Sequence, residues 1–178
     1  MVQSPVGIQH IHVRRRPGAP HLGVLRLGGR AIPVALGRGG IGFDKREGDG
    51  RTPAGRWRIV RLLYRADRGP RPITRLPARP IAPSDGWCDD PQDRRYNQPV
   101  HLPIAASHER MAREDGLYDL VLVLDHNTRP RIKGRGSAVF IHAARPGFTA
   151  TQGCVALAPR DLRHLAAALA AHAWLVID

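Results

Sequence analysis

Gly136-Ser137-Ala138-Val139-Phe140-Ile141-His142, then a short loop, then Thr151-Gln152-Gly153-Cys154-Val155-Ala156-Leu157, is the stretch that decides how this chain reads. Four apolar residues, Ala138 to Ile141, end in a histidine, and a second extended run begins at Cys154. An apolar run of that length between turn residues reads as a central strand buried on both faces. His142 is then expected at a strand end, with Cys154 opening the neighbouring strand, so that imidazole and thiol meet. A thiol attacks as thiolate, and an adjacent imidazole lowers its pKa from about 8.5 toward neutrality by holding it as an ion pair. Gly153, without a Cβ, lets a carbonyl approach Cys154 and leaves backbone N–H groups to face an oxyanion. The chemical reading is a cysteine nucleophile with His142 as base. The bland alternative is a buried thiol beside a packed histidine.

Outward from that stretch, alternating or β-rich segments predict strands over 8–13, 22–27, 30–35, 55–63, 118–124, 138–142 and 174–177. A helix is expected over 159–172, with Leu162, Leu165 and Leu169 on one face, Pro159 in the first turn and Asp161 set against the helix dipole. A second, shorter helix is expected over 104–113. The fold class is mainly β: a β-sandwich with a short internal helix and a C-terminal helix before the last strand. Length suits a single domain over 1–178, without repeats or low-complexity tracts, and the Pro/Arg-rich stretch 68–83 reads as an extended surface connection.

The charge is +13, from 28 basic and 15 acidic residues, and Lys45 and Lys133 are the only lysines. Such a field attracts polyanions of any kind. Aromatics make up only 5%, and no zinc-finger spacing, RNA-binding signature or aromatic-interleaved basic run is present, so no specific nucleic acid is expected. Two cysteines in a chain this long are not a disulfide framework. Cys88, between Trp87 and Asp89-Asp90, reads as a small buried hydrophobe. His10-x-His12 has no partner at ligand spacing, so neither metal nor cofactor is expected. The Gly-rich piece Gly48-Asp49-Gly50-Arg51-Thr52-Pro53-Ala54-Gly55 lacks the Gly-Lys-Ser/Thr ending of a phosphate loop. It reads as a turn feeding a strand that sets Trp57 and Ile59 on one face. Met1 to Arg16 carries no apolar run of the targeting kind, and no stretch is long enough to cross a bilayer.

The pattern of His142 followed by Thr151, Gly153 and Cys154 resembles the signature of the L,D-transpeptidase (YkuD-domain) family, and residues 48–59 are similar to that family's Lys-Thr-Pro-x-Gly-x-aromatic-x-Ile stretch. The blocks Lys45-Arg46-Glu47-Gly48-Asp49-Gly50, Gly86-Trp87-Cys88-Asp89-Asp90-Pro91, Tyr96-Asn97, Ser107-His108-Glu109 and Asp125-His126-Asn127 resemble a compact branch of it, over about residues 37–165. Gln152 stands where most of the family has a second His, and Ala156 where many have Arg. The resemblance implies a peptidoglycan cross-linking enzyme in which Cys154 attacks a stem-peptide carbonyl, His142 shuttles the proton, and Gly153 and Cys154 N–H groups hold the oxyanion. A backbone carbonyl is implied as the third member orienting His142. Substrate-holding residues are then sought among Lys45, Arg46, Tyr96, Asn97, His108, Glu109, Arg145, Thr151 and Gln152, with Arg the natural partner for stem carboxylates. The implied partners are peptidoglycan stem peptides, and a monomer is expected. The family places such an enzyme in the cell envelope or periplasm, whereas a complete chain without a visible signal would stay in the cytoplasm. Two other readings stay open: an L,D-carboxypeptidase or amidase on the same scaffold, and a non-enzymatic basic module binding nucleic acid or wall polymer.

Overall fold

Alternating apolar and polar residues through 8–35 form three strands, β1 (Ile8–Arg16), β2 (Ala19–Leu27) and β3 (Arg30–Ala35), joined by turns whose glycines, Gly18, Gly28 and Gly29, take positive φ. They belong to a computed structural model that describes residues 7–178. Residues 1–6, the start of the segment read for a targeting signal, lie outside the described residues. Two short strands, β4 (Ile41–Gly42) and β5 (Thr52–Pro53), pair parallel. The long β6 (Gly55–Tyr64) follows, then β7 (Ala78–Pro80). The remaining strands are β8 (Asp85–Cys88), β9 (Gln98–His101), β10 (His108–Arg110), β11 (Leu120–Leu124), β12 (Phe140–Ala143), β13 (Val155–Leu157) and β14 (Leu169–Ile177), with helix α1 (Pro159–Ala168) before the last.

The main sheet runs β11-β12-β13-β3-β2-β1-β14-β6-β7, and a further pairing of β11 with β6 closes it on itself. The protein is therefore mainly β, with one helix near the C-terminus. The expected sandwich is corrected to a barrel-like sheet, because strand 55–64 is long enough to pair with β14 through its first half and β11 through its second. A separate sheet, β10-β8-β9, lies apart in the pairing.

Strand β11 shows why its five residues are all apolar. Leu120, Leu122 and Leu124 enter the main core with Ile11, Leu25 and Leu175, while Val121 and Val123 enter a second cluster with Trp87, Phe140 and Cys154. Both faces are covered, so alternation disappears from the sequence. The second cluster is where the small sheet meets the barrel wall: Trp87 of β8 packs edge-on against Phe140 of β12, 5.0 Å between ring centres.

Two expected helices change. Residues 104–113 form no helix: His108–Arg110 is β10, antiparallel to β8 with Glu109 opposite Trp87. The helix expected over 159–172 ends at Ala168, and Leu169 onward turns extended to pair with β1 and β6. Alanine-rich 166–171 has high helix propensity, yet strand pairing on two sides outweighs a preference of a few tenths of a kcal/mol per residue. Cys88 and Cys154 are both free and buried. Among the described residues, no helix is long and apolar enough to cross a membrane.

Asn97 ties the small sheet to the barrel. Its Oδ1 accepts the Trp87 indole N–H and the Ala138 N–H, each at 3.1 Å, and its Nδ2 donates to the carbonyls of His126 and Asn127. Asn97→Ala strands two buried donors and two carbonyls, and is expected to cost about 3 kcal/mol or more, read as a lowered urea midpoint.

Candidate active site

Strands β12 and β13 run parallel in the register Ile141↔Val155, His142↔Ala156 and Ala143↔Leu157. Odd-numbered side chains Val139, Ile141, Ala143, Val155 and Leu157 point into the main core, and even-numbered Phe140 and Cys154 into the second cluster. Period-two alternation therefore carries His142 and Cys154 to the same side of the sheet. They line one cavity of about 240 Å³ with Glu109, Arg113, Tyr118 and Arg145. Thr151, Gln152 and Ala156 lie at the same cavity.

The loop before Cys154 is clipped in place. Thr151 N–H donates to the Leu36 carbonyl at 2.8 Å, and the Thr151 carbonyl accepts the Arg38 N–H. The Thr151 hydroxyl donates to the Cys154 carbonyl at 2.7 Å and accepts the Gly153 N–H at 3.1 Å. Gly153 has φ +138°, and a Cβ there would sit 2.7 Å from the Arg51 carbonyl oxygen. Glycine is required for the backbone path itself. The Gly153 N–H, expected to face an oxyanion, is instead engaged by Thr151.

His142 is 7% exposed and its Nδ1 lies 2.8 Å from the Ala143 carbonyl oxygen. A carbonyl only accepts, so Nδ1 carries the proton and Nε2 is left as the basic nitrogen. The Tyr118 ring packs edge-on against the imidazole, 5.3 Å between centres. Cys154 is 8% exposed. Its sulfur accepts the Phe140 N–H at 3.4 Å and its thiol donates to the Ala138 carbonyl at 3.3 Å. Burial pushes the Cys154 thiol up to about 12 and the His142 imidazolium down to about 4. Both groups therefore rest neutral. The expected thiolate–imidazolium pair is corrected: burial favours the uncharged forms, and the thiol's hydrogen bond goes to Ala138 rather than to the ring.

Glu109 accepts the Tyr118 hydroxyl, and burial pushes its carboxyl above the usual carboxylate range. Burial, with the Glu109 charge beside it, holds the Tyr118 phenol well above its ordinary value. Arg113 lies over the Tyr118 ring at 5.0 Å and pairs with Asp115, which also takes Arg145. Gln152 accepts from Arg38.

Of the expected substrate-holding residues, the fold brings Glu109, Arg145, Thr151 and Gln152 to the cavity. The others fall elsewhere. Lys45 is buried against Asp49 at 2.5 Å, Tyr96 is buried with its hydroxyl on Glu47, and Asn97 is the tie described above. Arg46 pairs with Asp44 at the surface, and His108 bonds the Ala106 carbonyl; neither lines the cavity. Tyr118 and Arg113 were not singled out from sequence. Tyr118 reads there only as the start of an apolar strand, and Arg113 as the end of a helix that does not form.

Burial of neutral His142 gives stability a pH dependence. An unfolded histidine titrates near 6.5, so between that value and about 4 the unfolded chain binds more protons than the folded one. Stability therefore rises with pH across this window and is lost as pH falls through it, on the order of 3 kcal/mol by its lower end. Urea midpoints measured from pH 7 down to 4 should fall less steeply in His142→Gln than in the parent.

The family model for the L,D-transpeptidase catalytic domain (YkuD) matches residues 16–177, a span that contains every residue of this cavity. No curated protein matches the chain.

Proposed function

From the premise that the chain belongs to the L,D-transpeptidase (YkuD) family, we propose that it cross-links peptidoglycan stem peptides through an acyl-enzyme on Cys154, with His142 as proton shuttle. What supports this most is the shared face of β12 and β13, which sets the sulfur and the imidazole at one cavity while the Ala143 carbonyl fixes Nδ1–H. The cavity is below the roughly 300–1,000 Å³ usual for drug-sized ligands, and suits one stem terminus.

In the first step the Cys154 sulfur bonds to the donor carbonyl carbon as the thiol proton passes to His142 Nε2. The tetrahedral oxyanion is held by the Cys154 N–H, a contact worth about 2.7–4 kcal/mol per donor in comparable sites. Collapse breaks the C–N bond, and the imidazolium returns the proton to the leaving amine. In the second step an acceptor amine attacks the thioester, its proton goes to Nε2 and then to the departing sulfur. Since both groups rest neutral, His142 acts as a base at the moment of attack rather than by storing a thiolate. Arg145 and Arg113 take the donor's carboxylate, and the Glu109 carboxylate takes one proton from the acceptor's ammonium, leaving the neutral amine that attacks. On this reading the enzyme works in the cell envelope, where its substrate lies.

The test is incubation with disaccharide-tetrapeptide and product analysis by mass spectrometry. A cross-linked dimer with release of the terminal residue is expected. Trimmed monomer alone would indicate an L,D-carboxypeptidase, and unchanged substrate would contradict the reading.

A further inference from the structure

A second cavity, about 1350 Å³, shares no lining residue with the one that holds Cys154 and His142. Strand β6 and the segment 123–135 form much of its lining. Among the described residues, eight cationic side chains line it and one carboxylate, Asp125, which is engaged by the Arg58 N–H at 2.8 Å. Lys45 and Arg135 are neutralised by Asp49 and Asp44. Among the described residues, Arg58, Arg61, Arg129 and Arg131 make no ion pair, and Arg56 lies over the Trp174 ring at 4.3 Å. Like charges gathered in a concave site repel one another and focus a positive field, which an anionic ligand relieves.

A second, independent observation concerns His126, which lines the same cleft and is 7% exposed. Its Nε2 donates to the Arg135 carbonyl at 3.0 Å, so Nδ1 is a bare acceptor, and that buried atom has no hydrogen-bond partner among the described residues. A buried polar atom without a partner is costly unless something supplies it. Trp57 packs edge-on against the same ring, and Phe43 at the rim is 92% exposed. The cleft thus asks for a ligand with several negative charges and apolar faces.

Resting on the transpeptidase reading, we propose that this cleft holds a carboxylate-bearing peptidoglycan strand: stems offer the carboxylates, and sugar rings offer apolar faces to Trp57 and Phe43. The small cavity takes one stem end for reaction, and the cleft holds the polymer at a distance from the chemistry. Lys45 joins the two regions, since it lines the cleft and its Nζ lies 3.5 Å from where a Cβ on Gly153 would be.

The experiment measures binding of soluble strand fragments carrying two to four disaccharide-tripeptide repeats to Cys154→Ala protein, which keeps the ligand intact. Combining Arg61→Gln, Arg129→Gln and Arg131→Gln in that background is expected to raise Kd about tenfold, while Arg16→Gln, Arg26→Gln and Arg30→Gln, which remove equal charge from residues lining neither cavity, change it less than about twofold. The proposal is overturned if both triples weaken binding equally, if fragments do not bind, or if single-stranded DNA of equal charge binds as tightly and displaces them. Failure of the reaction reading is read separately: cross-linked product persisting in Cys154→Ala sinks the chemistry and leaves the binding comparison intact.

Discussion

Cys154→Ala is expected to abolish both the cross-linked dimer and any trimmed monomer, a loss on the order of 10⁴-fold or more in turnover, since Cys154 carries the one thiol among the described residues that line the cavity, and a thiol is the strongest nucleophile there. The loss is chemical, not structural. Removing the sulfur deletes one atom from the second cluster and frees the Phe140 N–H and the Ala138 carbonyl, at a stability cost of about 1–3 kcal/mol. The variant should therefore keep its native far-ultraviolet circular dichroism and a cooperative urea transition, with a modestly lower midpoint. Both transfer and hydrolysis pass through the same thioester, so both products must vanish together. Retention of either one would place the nucleophile elsewhere.

His142→Gln is expected to lower turnover by about 10²–10⁴-fold, the range of a positioned general base, with a smaller change in KM. The physical reason lies in the resting charges. With the thiol pushed up to about 12, almost no thiolate exists at neutral pH, and attack requires a base that takes the proton as the carbon–sulfur bond forms. Glutamine fills similar volume and can still donate to the Ala143 carbonyl, yet it cannot accept that proton. Raising the pH should rescue the variant gradually as hydroxide forms thiolate, whereas the parent stays flat from about pH 7 to 9. Equal sensitivity to pH in the two proteins would contradict this role.

How far the site was legible follows from period-two geometry. A run such as Ala138 to Ile141 declares a buried central strand, and counting by twos from His142 and from Cys154 predicts a common face; the register of β12 on β13 supplies it. What pairs with that face is not local information. Glu109 sits opposite Trp87 only because β10 joins β8, and the segment 104–113 carries enough helix-compatible residues to read as a helix when that edge is unseen. The barrel-like closure was hidden for the same reason: nothing in 55–64 announces partners along both its halves. The charge state was misread because burial depends on the second cluster, so a sequence that places imidazole near thiol does not tell that both are buried deeply enough to rest neutral. Tyr96 and Asn97 were legible as a block, but their hydrogen-bond partners, Glu47, Trp87, Ala138 and the 126–127 turn, come from distant segments and were not.

The most direct measurement is intact-protein and peptide-mapping mass spectrometry of the parent enzyme mixed briefly with disaccharide-tetrapeptide and quenched in acid. A donor stem lacking its terminal residue, bound as a hydroxylamine-labile thioester on the peptide containing Cys154, is the predicted result. Cross-linked product forming while Cys154 stays unmodified, or with the adduct carried by Cys88, would contradict it.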